Sequence, residues 1–171
     1  KAEKIEEVIA PIEGVQIANY NCPGQIVISG KKEAVQKACE ALTAAGAKRC
    51  IPLNVSGPFH SKMLVGAGEK LGTVLEPVEL NDPSIPYVTN VTGAYVTDKN
   101  RVKELLKQQV SSSVRWQQCV EAMIEDGVDT FVEVGPGTTL TGFLKKINRK
   151  VTAYHVETPE DLEKIAASLA E

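Results

Sequence analysis

The sequence predicts an α/β protein in two parts, and three observations carry that expectation. Apolar residues recur at helical spacing in several stretches, and short runs rich in Val, Ile, Thr and Tyr fall between them. Pro and Gly punctuate the junctions. Residues 1–56 run α-β-β-α-β, which matches a ferredoxin-like β-α-β-β-α-β unit lacking its first strand. Residues 57–171 continue as alternating helices and strands, the pattern of a largely parallel sheet.

The elements follow in order. "KAEKIEEVIA" places Ile5, Val8 and Ile9 on one helical face and stops at Pro11. "VQIANY" and "QIVIS" read as strands around the turn pair Pro23-Gly24. "KKEAVQKACEALTAAG" is a helix with Ala34, Val35, Ala38, Cys39 and Leu42 as its stripe and Gly46 as its C-terminal cap. "RCIPLNV" alternates like a strand. Met63, Leu64, Ala67, Leu71, Val74 and Leu75 then form a helical stripe ended by Pro77. "IPYVTNVTG" is a strand and "NRVKELLKQQV" a short helix, followed by a stripe of Trp116, Cys119, Val120, Met123 and Ile124 that stops at Gly127. "DTFVEVG" reads as a buried strand, "PGTTLTGFLKKI" as turn and helix, and "VTAYHVE" as the last strand. Thr158, Pro159, Glu160 and Asp161 open the final helix, with an N-cap, Pro at the first helical position and early acidic charge.

Composition excludes several function classes. A chain of 171 residues, 43% hydrophobic, can bury a core in one domain or two small ones. Its 19 basic and 22 acidic residues leave a net charge of −3, which provides no general attraction for nucleic acid or anionic membrane. No apolar run approaches the ~20 residues that span a bilayer. Cys22, Cys39, Cys50 and Cys119 show no metal-ligand spacing, so a cytoplasmic protein with free thiols and no metal is expected.

Two chemical motifs fail on their residues. "VGPGTTL" (Val134 to Leu140) joins a strand to a helix as a phosphate loop would, but it lacks a GK[ST] ending, and Leu140 stands where G-x-G-x-x-G needs its third Gly. None of the eight serines (29, 56, 61, 84, 111, 112, 113 and 168) lies in a G-x-S-x-G nucleophile elbow. His60, in "LNVSGPFHSKM", sits where an apparent strand gives way to a helix, a position suited to a general base. Within these residues it has no nucleophile to activate, and no Asp or Glu is placed by sequence to orient its ring.

The segments "NYNCPGQIVISGKKEAV" (Asn19 to Val35), "AAGAKRCIPLNVSGPFHSKML" (Ala44 to Leu64), "PYVTNVTG" (Pro86 to Gly93), "LLKQQVSSSVRW" (Leu105 to Trp116) and "FVEVGPGTTLTG" (Phe131 to Gly142) together resemble the C-terminal part of the malonyl-CoA:acyl carrier protein transacylase family. The family includes the acyltransferase domains of fatty acid and polyketide synthesis. The resemblance implies an α/β-hydrolase-like large subdomain, present in part as residues 57–171, into which the ferredoxin-like small subdomain, residues 1–56, is inserted. It implies that the nucleophilic Ser, the oxyanion-hole Gln and the Arg for the malonyl carboxylate belong to an N-terminal half absent from these residues. That half becomes an expected partner, and the chain, opening on Lys1, is expected to start partway through a larger protein and to be inactive alone.

The same resemblance assigns residues. His60 matches the catalytic His, and Gln109 the residue whose main-chain carbonyl accepts the imidazole N–H, a neutral substitute for the triad carboxylate. Phe59, before the His, resembles the malonyl-type pattern, a bulky ring that leaves little space for an α-methyl branch. Asn19, Asn21 and Gln25 fall in the family's N-x-N-x-P-x-Q segment, whose amides suit the pantetheine amides. Lys48 and Arg49 resemble contacts for CoA phosphate or an acidic carrier protein, and Asn90 a cleft residue. No cofactor is implied, because malonyl-CoA and the phosphopantetheine-bearing acyl carrier protein are substrates. A non-catalytic CoA- or carrier-protein-binding module is the alternative, distinguished by the absence of G-H-S-x-G upstream.

Overall fold

In the computed structural model, which describes residues 1–169, the first helical stripe forms α1 (Ala2–Ile9). β1 (Val15–Cys22) and β2 (Gln25–Gly30) pair antiparallel. Gly24 closes their turn at φ +81°, a left-handed conformation that Gly adopts without steric cost. α2 (Lys32–Ala44) ends on Gly46 at φ +96°, and the Ala47 N–H reaches back to the Leu42 carbonyl at 2.9 Å. Ile9 of α1, Ile17 and Tyr20 of β1, and Ala38 and Leu42 of α2 form the buried core between helices and sheet. Ile17 and Tyr20 are three positions apart and would face opposite sides of a regular strand. A register irregularity between Ile17 and Asn19 lets both turn inward.

The expected strand at "RCIPLNV" does not form. Ile51, Leu53 and Val55 are 67%, 59% and 60% exposed, and no strand pairs with them among the described residues. Alternation and β-propensity favour a strand only where a neighbour completes the ladder. Of the predicted α-β-β-α-β order, the first four elements are present.

After residue 60 a single 3₁₀ turn, Lys62–Leu64, leads into α3 (Val65–Leu75). The next strand is shorter than its sequence signal. β3 (Tyr87–Thr89) pairs antiparallel with β4 (Ala94–Val96), a strand the sequence reading did not separate, across a turn with Gly93 at φ +67°. This hairpin departs from the expected parallel arrangement, since a connection this short can join only antiparallel strands. A 3₁₀ turn, Lys99–Arg101, precedes α4 (Val102–Gln109), and α5 (Trp116–Glu125) follows. α3 packs against α4 through Gly68, where a Cβ would lie 2.8 Å from the Lys107 carbonyl oxygen. The apolar stripe foreseen for this helix is not buried as a stripe: Met63 is 54% and Val74 68% exposed.

The chain divides into two compact units, Lys1–Cys119 and Val120–Glu171. In the second, β5 (Thr130–Val134) and β6 (Thr152–Val156) pair in parallel from Thr130↔Thr152 to Val134↔Val156. α6 (Thr139–Ile147) connects them, and α7 (Pro159–Leu169) closes the unit. β5 was expected to be buried, yet Val132 is 40% and Val134 78% exposed, because β6 is its only sheet neighbour among the described residues. At the start of α7, where the sequence reads an N-cap, the Thr158 N–H donates to the Asp161 carboxylate at 3.0 Å and the Asp161 N–H returns to the Thr158 hydroxyl at 3.3 Å. Among the described residues no helix is long and apolar enough to cross a membrane.

Candidate functional site

Residues 56–61 form an irregular turn between the unpaired 49–55 segment and the 3₁₀ turn. Within it His60 takes φ +54°, and it is the one non-glycine residue with positive φ among those described. That conformation costs a Cβ-bearing residue roughly 1–2 kcal/mol, so the surrounding contacts must hold it. Ser61, 2% exposed, donates its hydroxyl to the Pro58 carbonyl at 2.6 Å. The Gln16 side chain on β1 spans the turn: its amide N–H donates to the His60 carbonyl at 3.1 Å, and its carbonyl accepts the Lys62 N–H at 3.0 Å.

The His60 ring meets the chain a second time at Gln109. Nδ1 lies 3.1 Å from the Gln109 main-chain oxygen. This carbonyl ends α4, and the last carbonyls of a helix have no partner within it. A carbonyl only accepts, so Nδ1 carries the proton and Nε2 keeps the lone pair. In the neutral ring this tautomer turns the basic nitrogen away from the anchoring bond. Beyond Gln109 the chain is tied down at once. Val114 pairs in parallel with Asn19, its N–H donating to the Ala18 carbonyl and its carbonyl accepting from the Tyr20 N–H, each at 2.8 Å. The Ser113 hydroxyl donates to the Ile17 carbonyl at 2.6 Å.

The other sequence-predicted residues are less concentrated. Asn19 and Asn21 lie half-buried on β1, alternating with buried Tyr20 and Cys22, and Gln25 opens β2. Phe59 is 52% exposed beside His60. Lys48 and Arg49 are exposed just after α2. Asn90 follows β3: its main-chain carbonyl accepts the Arg115 N–H at 2.9 Å, and its side-chain oxygen lies 3.9 Å from the Cys119 Sγ. Burial pushes the Cys119 thiol up to about 11, which leaves it protonated and unreactive. Sequence reasoning missed Gln16, Ser61 and Ser113. Gln16 and Ser113 find their partners 44 and 96 positions away, and no local pattern marks them.

The Gly-rich loop of the second unit is filled from within. Glu133 on β5 accepts the Leu140 N–H at 2.9 Å and the Thr141 N–H at 2.7 Å, so the first turn of α6 already holds a carboxylate. Desolvation draws the Glu133 acid upward, but the hydrogen bonds donated by this turn outweigh it and hold the group below its ordinary range. The His155 ring nitrogen Nε2 donates to the Gly135 carbonyl at 2.8 Å. The Leu140 and Thr141 amides, which a phosphate at this helix start would use, are therefore engaged. Among the described residues no group of three or more His, Cys, Asp or Glu could hold a metal ion.

The comparisons with known proteins agree with one another. A family model described as "Acyl transferase domain" matches residues 1–160. The malonyl CoA-acyl carrier protein transacylase of Bacillus subtilis (strain 168) is 44% identical over 174 residues, covering 99% of this chain and 55% of its own length. The protein of that name from Staphylococcus aureus (strain COL) is 38% identical over 165 residues, covering 94% of this chain and 54% of its own. Among solved structures, the transacylase of Clostridium perfringens superposes with a TM-score of 0.91 at 44% identity, over 99% of this chain and 53% of that one. A malonyl-transacylase in complex with a type II PKS acyl-carrier protein superposes at 0.92 with 37% identity, over 97% and 55%. The chain thus spans about half the length of the relatives it matches.

Proposed function

The chain belongs to the acyl transferase domain family, and we propose that it carries the general base of an enzyme that moves a malonyl group from malonyl-CoA to the phosphopantetheine thiol of acyl carrier protein. The observation that carries this reading is the His60–Gln109 bond, which sets one tautomer and leaves Nε2 basic. The serine it serves lies in the part of the family's length that this chain does not span. Nε2 takes the serine proton as the hydroxyl oxygen attacks the malonyl thioester carbonyl. The imidazolium then returns that proton to the departing CoA thiolate, leaving a malonyl-serine ester. The carrier's thiol reverses the sequence: it gives its proton to Nε2, attacks the ester, and the serine oxygen recovers the proton as it leaves.

The remaining assignments follow the same reading. Residues 1–56 form the ferredoxin-like insert and residues 57–171 part of the α/β-hydrolase-like subdomain. Asn19, Asn21 and Gln25 offer amide donors and acceptors to the pantetheine arm, and Phe59 bounds the acyl pocket. Lys48 and Arg49 meet phosphate or the acidic carrier surface, and Asn90 supports the cleft through the start of α5.

The test is substitution in the full-length protein. His60→Ala should lower malonyl transfer by roughly 10²–10⁴-fold, the range for a lost general base. Gln109→Ala should be mild, because its role belongs to the backbone. Near-normal turnover in the His60 variant would overturn the assignment. Collapse of a folded Gln109→Ala protein would move that role to the side chain.

A further inference from the structure

Strand β1 makes contacts with the His60 turn that the proton-transfer scheme does not use. Gln16 bonds on both sides of Ser61, donating to the His60 carbonyl at 3.1 Å and accepting from the Lys62 N–H at 3.0 Å. The side-chain orientation is unambiguous, since the His60 carbonyl can only accept and the Lys62 amide can only donate. These bonds close on the one non-glycine residue, among those described, that the fold holds at positive φ. The direction of the His60 Cα–Cβ bond, and so the aim of Nε2, depends on that backbone angle. A relaxed turn would swing the imidazole away from the Gln109 carbonyl, 3.1 Å from Nδ1.

The same strand fixes the other member of the pair. Ala18 and Tyr20 exchange backbone hydrogen bonds with Val114, and Ile17 accepts from Ser113, a few residues past Gln109. β1 therefore holds the His60 turn through a side chain and the Gln109 segment through its backbone. We propose that Gln16 is a positioning residue for the acyl transfer, setting the backbone of His60 so that its imidazole stays on the Gln109 carbonyl with Nε2 aimed at the serine. Gln16 acts through His60 and touches no reacting atom. The proposal rests on the assignment of His60 as the general base.

The test is a double-mutant cycle in the full-length enzyme, with His60→Ala and the near-isosteric Gln16→Met made singly and together. A geometric error of about 1 Å at a reacting group can cost on the order of a hundredfold. Gln16→Met should accordingly lower kcat by roughly tenfold to a hundredfold, with KM for malonyl-CoA within about twofold. In the His60→Ala background the same change should alter the residual rate by less than about twofold, because the group it aims is gone. A merely structural role would instead lower both backgrounds equally, and equal losses overturn the proposal. So does a Gln16→Met kcat within about twofold of wild type at unchanged Tm. Should the Met variant not accumulate as folded protein, Gln16→Ala serves in both arms with the same criteria. If His60→Ala itself is nearly fully active, the assignment of the base fails first, and the two failures are thereby told apart.

Discussion

A bulky ring beside the base has a selectivity consequence. Phe59 immediately precedes His60 and stands 52% exposed. If the ring bounds the acyl pocket, Phe59→Ser should raise kcat/KM for methylmalonyl-CoA relative to malonyl-CoA. A single methyl is worth about 1–3 kcal/mol, so the change should be partial. Competition between the two thioesters measures it, and an unchanged ratio removes Phe59 from the pocket. His60 stood out by its position at the end of an apparent strand, and family resemblance gave it a role and added Gln109, for nothing in "LLKQQV" alone marks a useful carbonyl. Gln16 entered only with the structure. It is a polar residue in a strand whose sequence signal lay at Asn19 and Asn21, and its own partner lies in a turn 44 positions away.

Helices and their caps were the most legible elements. Helical periodicity, Gly46 at the end of α2 and the Thr158–Asp161 box at the start of α7 are local signals, and local geometry satisfied them. Strands were less legible because a strand depends on its neighbour. "RCIPLNV" has the composition and no partner, while β4 has a weak signal and an adjacent strand to pair with. The capping of α6 by Glu133 was invisible in sequence, yet it makes a pH prediction. The folded acid is held below the ordinary carboxylate range, which unfolding restores to about 4.3. A depressed folded pKa contributes stability above the unfolded value, lost as pH falls through the folded one. Glu133→Gln should thus be less stable than wild type at pH 7 and converge with it in acid. Asp161 lies below its ordinary value too, chiefly through the Thr158 amide, so the variant should retain a shallower acid slope. Urea midpoints across pH 3–7 measure this, and a constant gap between the two proteins would contradict it.

At the scale of the molecule, the decisive fact is length. The chain spans about half of its curated relatives and contains no G-x-S-x-G. Within its units Ile51, Leu53, Val55 and Val134 leave apolar side chains open. These 171 residues alone should take no label from radiolabelled malonyl-CoA and should fold poorly. With the complementary half of the enzyme added, label should appear on that half, and only when His60 is intact. Covalent label on the isolated segment would refute the scheme outright.

The double attachment of β1 bears on how such enzymes can be recombined. The hairpin of β1 and β2 looks like a cassette for exchange between relatives. A crossover anywhere between residues 31 and 59, however, parts Gln16 from the turn it grips, and Ala18 and Tyr20 from Val114. The heritable unit is therefore discontinuous: strand, turn and the segment after α4 travel together or must be rematched. Chimeras that transplant all three from one parent should keep their rate, whereas those that take the hairpin alone should lose turnover before they lose stability.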